Sequence, residues 1–407
     1  MTDVKKLLIA MTGLACAVSV GCGGGSSSTK TTAIMQSGSN VASIVVNSGP
    51  ANLYANGAFA SVTVCVPGTS TCQTIDGVLV DTGSSGLRIV SSVLTVALPQ
   101  QKAPSGSPVA ECLTFLGSYT WGPVQTGDVQ IAGEKAGSVP IQVLSDTDFP
   151  LPKGSICATS QFPSADTLTA LGANGILGVG QAAQDCGGAC AQAGSGNPGL
   201  YYECPSSGCV LIPTGEPLAQ QVTNPVALFP TDNNGIIVQL PALSGAGTTV
   251  SGSLVFGIGT QSNNGLNGAT VYTTSPEFAF TTTYNGNSYP GSFVDSGSNG
   301  FFFANTTGIT ACTGNESGFY CPSTTENLSA TNKGVNGASG TVKFSIANAQ
   351  TLFANVNDHA FSDLGGPTPT PSPNYFDWGF PFFFGRNVYT AIEGKSTPGG
   401  AGPYWAY

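Results

Sequence analysis

Two short strings hold residue types from which chemistry could be built: Val80-Asp81-Thr82-Gly83-Ser84-Ser85-Gly86 and Val294-Asp295-Ser296-Gly297-Ser298-Asn299-Gly300. In each, an apolar run delivers one carboxylate to a turn containing a hydroxyl, a glycine and a second hydroxyl. The apolar strand carries the acid inward, the glycine allows a tight turn beside it, and the hydroxyls can donate to a carboxylate that would be costly to bury alone. Either string by itself reads as a surface turn. Two of them with matched lead-ins read as a pair of acids built to meet. Carboxyl groups about 3 Å apart cannot both ionise and so share one proton. One is then a base and the other an acid. A water held between them can be deprotonated for attack on a carbonyl whose oxygen the neutral acid protonates. That is amide hydrolysis without a metal, a cofactor or a covalent intermediate.

The residues resemble those of the pepsin-like aspartic peptidases. In that family each lobe has a second signature, two apolar residues and a glycine, on a strand crossing the one that bears the aspartate. This chain offers Ile176-Leu177-Gly178 about 95 positions after Asp81 and Phe383-Phe384-Gly385 about 90 after Asp295. Gly252-Ser253-Leu254-Val255-Phe256-Gly257 is similar to the strand that ends the first lobe, and residues 384–390 to the last helix-and-strand segment. The likeness covers roughly residues 55–407, with a closer resemblance to a group of bacterial pepsin-like lipoproteins. It implies an all-β, bilobal fold with two pseudo-symmetric lobes and a cleft between them, each lobe giving one aspartate. It also implies that Asp81 and Asp295 hold the water, with Gly83 and Gly297 in the turns. Ser84 and Ser298 would bond the outer carboxylate oxygens, and Thr82 and Ser296 would tie the two loops together. Residues 113–122 and 128–133 would form the flap that closes over substrate. Phe115 stands where the family usually has a tyrosine, leaving Tyr119 or Trp121 to replace its hydroxyl or, alternatively, all three to serve as hairpin packing. The implied activity is endopeptidase cleavage of an extended polypeptide, faster at acid pH, by a monomer.

Composition agrees with such a chain. Only 8% of the 407 residues are charged and 56 are glycine, which favours strands and turns. A net charge of −10 argues against nucleic acid as a partner, because phosphate binding needs clustered lysine and arginine. Lys5 and Lys6 precede a short apolar stretch over residues 7–20, which reads as an export signal. Gly21-Cys22 followed by a Gly/Ser tether is similar to a bacterial lipoprotein cleavage site, with Cys22 lipidated; ordinary secretion is the alternative. The predicted organisation is a signal peptide over 1–22 and a linker over 23–41. An N-terminal lobe follows over 42–260 with a Cys-rich insertion at 181–213, and then a C-terminal lobe over 261–407. The chain is expected in the bacterial envelope, touching a membrane through the lipid alone.

Twelve cysteines less Cys16 and Cys22 leave an even ten, mostly in close pairs, as suits an oxidising compartment. Local staples are the simplest assignment: Cys65 with Cys72, Cys186 with Cys190, Cys204 with Cys209, Cys312 with Cys321, and Cys112 with Cys157 by elimination. Spacing alone does not fix connectivity, and a zinc site is the rival for Cys186, Cys190, Cys204 and Cys209; no metal is expected. The first lobe opens with strand-like runs at 42–46 and 59–66, the latter turning through Pro67-Gly68 into the Asp81 strand. The second has runs at 270–274 and 278–284 with Asn285-Gly286 as a hairpin turn. Residues 181–213 lack periodicity and read as a stapled surface loop, and 367–373 as a Pro-rich excursion. The single histidine, His359, has no nucleophile motif to match, and reads as a surface or structural side chain. A pepsin-like scaffold acting as a binding module is the second reading, and a structural envelope lipoprotein the third.

Overall fold

Along Ala58–Cys65 the alternate residues Ala58, Ala60, Val62 and Val64 are buried in the core, with Ser61 exposed between them, and the chain turns at Pro67-Gly68 to pair with Cys72–Asp81. Toward its end this second strand loses the alternation, and Val78, Leu79, Val80 and Asp81 are all buried. A strand covered on both faces delivers its last residue into the interior. The computed structural model describes residues 37–144, 149–368 and 374–407. The expected signal peptide, Cys22, most of the linker and most of the Pro-rich excursion lie outside these residues.

The protein is mainly β and bilobal, with a large sheet and a smaller one. Fifteen strands form the large sheet, from the edge strand Val210–Leu211 to Val271–Thr273. Its floor is shared by the two halves of the sequence: Val41–Val46, Val250–Phe256 and Gly235–Gln239 lead directly into Asn387–Ala391, Tyr404–Ala406 and Val271–Thr273. Seven strands, among them Phe280–Tyr284 and Asn287–Val294, make the second lobe's own sheet. Asn285 and Gly286 both adopt positive φ (47° and 75°) in the hairpin between them, the conformation that a two-residue turn needs.

The main core is continuous through both lobes, but its chemistry changes along it. Valine and isoleucine fill the first lobe, whereas Phe301, Phe303, Phe344, Phe376 and Trp378 pack ring against ring in the second, with Phe303 and Phe376 stacked at 4.9 Å. Five disulfides form: Cys65–Cys72, Cys112–Cys157, Cys186–Cys190, Cys204–Cys209 and Cys312–Cys321. The four sulfurs weighed as zinc ligands are thus bonded in pairs to each other. The insertion is more ordered than a surface loop: Tyr201–Glu203 adds to the free edge of Val109–Thr114, and Val210–Leu211 adds to Tyr201–Glu203. Its tyrosines are buried, which the irregular spacing of apolar residues concealed. Among the described residues no helix is long and apolar enough to cross a membrane.

Candidate active site

Asp81 ends its strand and Asp295 follows Asn287–Val294, and both carboxyls are buried within hydrogen-bond reach of each other. Each receives the same two donors from its own turn. Gly83 N and Ser84 Oγ donate to Asp81 Oδ1 and Oδ2 at 2.8 and 2.5 Å. Gly297 N and Ser298 Oγ donate to Asp295 Oδ1 and Oδ2, both at 2.7 Å. The turns are then locked to one another. Thr82 N donates to Ser296 Oγ at 3.0 Å and Ser296 N to Thr82 Oγ1 at 2.9 Å. The two hydroxyls pass their own hydrogens onward, Thr82 to Val294 O and Ser296 to Val80 O. Because every donor here is satisfied in the interior, the loops have little freedom to separate.

Glycine is obligatory at the centre of both turns. A Cβ at Gly83 would lie 2.6 Å from Asp295 Cγ, and one at Gly297 would lie 2.7 Å from Asp81 Oδ1. Each carboxyl therefore rests on the opposite loop's backbone. Burial, followed by the negative charge of Asp81, pushes the Asp295 carboxyl up to about 8, so it holds its proton over the whole acid and neutral range.

The strands that flank the two aspartates are related by the same register, and this corrects the second-lobe signature. In the first lobe Leu79 lies opposite Ile176, Val80 opposite Leu177 and Asp81 opposite Gly178, in parallel. In the second lobe Phe293 lies opposite Asp377 and Val294 opposite Trp378, also in parallel, so the counterpart of Gly178 is Gly379. Gly178 and Gly379 press on matching carbonyls, Gly86 O and Gly300 O. The signature is therefore Asp377-Trp378-Gly379, and Phe383-Phe384-Gly385 lies beyond it. Phe380–Phe383 is a buried 3₁₀ turn that leads to the Asn387–Ala391 strand, with no longer helix there. In this segment Phe383-Phe384 is the one apolar pair that directly precedes a glycine, and an acid at position 377 hid the true signature.

Above the acids lies a cleft of about 710 Å³ whose walls include Tyr54, Phe115, Leu116, Phe278 and Trp405. Phe115 and Leu116 form the tip between Val109–Thr114 and Tyr119–Ile131, with Phe115 N donating to Ser118 O at 2.7 Å. Tyr119 and Trp121 are not on the cleft wall. The Trp121 indole donates to Phe149 O at 2.6 Å and packs edge-on to Tyr202, while Tyr119 turns toward Ser164 and Asp166. The insertion strand beside this hairpin draws both rings to its outer side. Behind the tip, buried Arg88 pairs with Glu111 and Asp185 at 3.1 and 2.9 Å, and its guanidinium lies 5.9 Å from the Phe115 ring centre.

Tyr54 carried no signal in the sequence. It sits in the loop before Ala58–Cys65, edge-on to Phe59 at 5.3 Å, and Gly172 leaves the room its ring occupies. Burial and then the charges of Asp81 and Asp295 raise its phenol, which therefore stays a hydrogen-bond donor. Two residues on, buried Asn56 joins the lobes: its amide donates to Asn299 O and Phe361 O at 2.8 and 2.9 Å, and its Oδ1 accepts from Phe361 N at 2.6 Å. His359 is half-buried, away from the cleft, with its backbone N–H on Gly247 O.

Fold and site together define a mainly β, bilobal protein, with one Asp-hydroxyl-Gly turn from each lobe meeting at the cleft floor. The chain belongs to the DUF3443 family, described as a protein of unknown function, which it matches over residues 36–407. No curated protein matches it. Among solved structures it is similar to the crystal structure of aspartic proteinase from Irpex lacteus, at 16% identity over 90% of this chain and 96% of that one, with a TM-score of 0.49.

Proposed function

We propose that the chain is an aspartic endopeptidase in which Asp81 and Asp295 hold the hydrolytic water. The observation that carries this reading is two buried carboxyls in mutual reach under an open cleft, the Asp295 carboxyl held up to about 8. In the reaction, water gives one proton to Asp81 as its oxygen bonds to the peptide carbonyl carbon, and Asp295 gives its proton to the carbonyl oxygen. The tetrahedral diol then collapses, the C–N bond breaks, the amine nitrogen takes a proton, and one proton remains on the pair. An extended polypeptide fits the cleft as an added strand, covered by Phe115 and Leu116 and flanked by Tyr54.

The same reading has the chain exported and working as a monomer, with Cys22 lipidated as its anchor; the five disulfides support an oxidising compartment. The test is incubation of the full chain with unfolded proteins from acid to neutral pH, beside Asp81→Asn and Asp295→Asn. Cleavage that each substitution abolishes is expected. Undiminished cleavage by either variant would exclude the mechanism. No cleavage at any pH, with a transition-state peptide inhibitor still bound, would favour a binding module.

A further inference from the structure

A turn on the second lobe's side of the cleft holds a large side chain in an unfavourable backbone conformation. Phe278 has a φ of 58°, in the left-handed region. The other described non-glycine residues found there are asparagine, aspartate, serine or alanine, so Phe278 is the one that carries a ring. For a bulky residue this conformation is costly. The loop demands it all the same. Phe278 N donates to Ser275 O at 2.9 Å and Ser275 N to Ala279 O at 2.8 Å, closing a three-residue connection over Pro276, Glu277 and Phe278. Proline suits the second position of such a turn, and Ser275 Oγ accepts from Glu277 N at 3.2 Å. The last residue of a connection of this length is left-handed and is ordinarily glycine. Phenylalanine stands here instead.

Packing within the protein does not account for the ring. Two other aromatic side chains of the second lobe line the cleft, and both are committed to the interior: Phe293 lies 5.6 Å from the Tyr375 ring, and Trp405 lies 5.3 Å from Phe280 in the main core. Phe278 lines the same cleft, is half-buried, and joins none of the apolar clusters. A ring left half-exposed keeps apolar surface to bury against a ligand, and backbone strain that the fold does not use for itself collects at binding sites. We propose that Phe278 is a specificity-determining side chain, whose ring bounds, from the second lobe, the subsite for one large apolar side chain of the bound polypeptide. The inference rests on reading the cleft as the seat of an extended polypeptide. Phe115 and Leu116 bring apolar groups to the same cleft from the first lobe.

The test compares the full chain with Phe278→Gly, which suits the turn but lacks the ring, and Phe278→Tyr, which keeps the ring. Peptides are varied one position at a time, leucine or phenylalanine against alanine. At one position wild type should prefer the large side chain, and Phe278→Gly should cut that preference in kcat/KM by about 10-fold or more, the scale on which a missing apolar group changes discrimination. Phe278→Tyr should retain it. Preferences that Phe278→Gly leaves unchanged at every position overturn the proposal. Denaturant unfolding separates this role from a structural one. Phe278→Gly should unfold at a higher denaturant concentration than Phe278→Ala, which keeps the left-handed strain, and its midpoint should not fall below that of wild type. A midpoint well below wild type would mean that the ring is kept for packing, and overturns the proposal. Should wild type cleave nothing, the hydrolytic reading fails, and calorimetry with transition-state peptide inhibitors that carry leucine or alanine at each position decides on Phe278 alone. An affinity ratio that Phe278→Gly lowers at one position upholds the subsite. A ratio unchanged at every position, or no binding to wild type, overturns it.

Discussion

At the scale of single residues, the two turns work because each aspartate leans on the other loop's glycine. Gly83→Ala would drive a methyl group into the Asp295 carboxyl. A displacement of about 1 Å at reacting groups costs on the order of 100-fold in rate; kcat/KM should fall by at least that much while circular dichroism stays native, and unchanged kinetics would contradict the geometry. In the proposed reaction the raised Asp295 carboxyl would set the alkaline limit. Its proton is required, so cleavage should persist through neutral pH and fade as pH passes about 8. A loss already complete near pH 5 would contradict this. Asp81, Asp295 and their hydroxyls were legible in the sequence because strand, acid and turn sit within seven consecutive residues. Tyr54 and Asp377 were not, since nothing local distinguishes a loop tyrosine or a buried acid whose partners lie far along the chain.

At the scale of elements, register decides which residues meet. Asp295 and Asp377 are neighbours because Asn287–Val294 and Asp377–Trp378 run parallel, a long-range pairing that local spacing does not encode. Hairpins were easier to read: the Pro67-Gly68 and Asn285-Gly286 turns announce themselves. The hairpin of Val109–Thr114 and Tyr119–Ile131 is fastened by Cys112–Cys157, two residues from its turn, which closes a segment of 45 residues. Closing a loop of that length contributes about 4 kcal/mol in the chain-entropy picture. The double variant Cys112→Ala, Cys157→Ala should lower unfolding free energy by a similar amount, read from denaturant titration. No loss of stability would mean that Val109–Thr114 is held by its ladders with Tyr119–Ile131 and Tyr201–Glu203 alone.

At the scale of the whole molecule, two buried acids away from the cleft hold their protons more tightly than usual. Burial and then the charge of Asp232 push Glu134 up to about 7, and burial pushes Glu216 up to about 7. In an unfolded chain such groups ionise near about 4.3. Their contribution to stability is whole below that value and is lost as pH rises toward 7, because only the unfolded state gives up the proton in between. The denaturant midpoint should therefore fall between pH 4 and 7, and less steeply in Glu134→Gln than in wild type. Equal slopes would remove Glu134 from the account.

The shared floor of the large sheet has a further consequence. Gly235–Gln239 finds one of its neighbours only in Asn387–Ala391, and that strand in turn needs Tyr404–Ala406. Until Asn387–Ala391 is in place, Gly235–Gln239 keeps one backbone edge unpaired, so the first half of the large sheet depends on a strand far along the chain. A fragment that stops short of it would present that ladder to a second chain, an opening for edge-to-edge association.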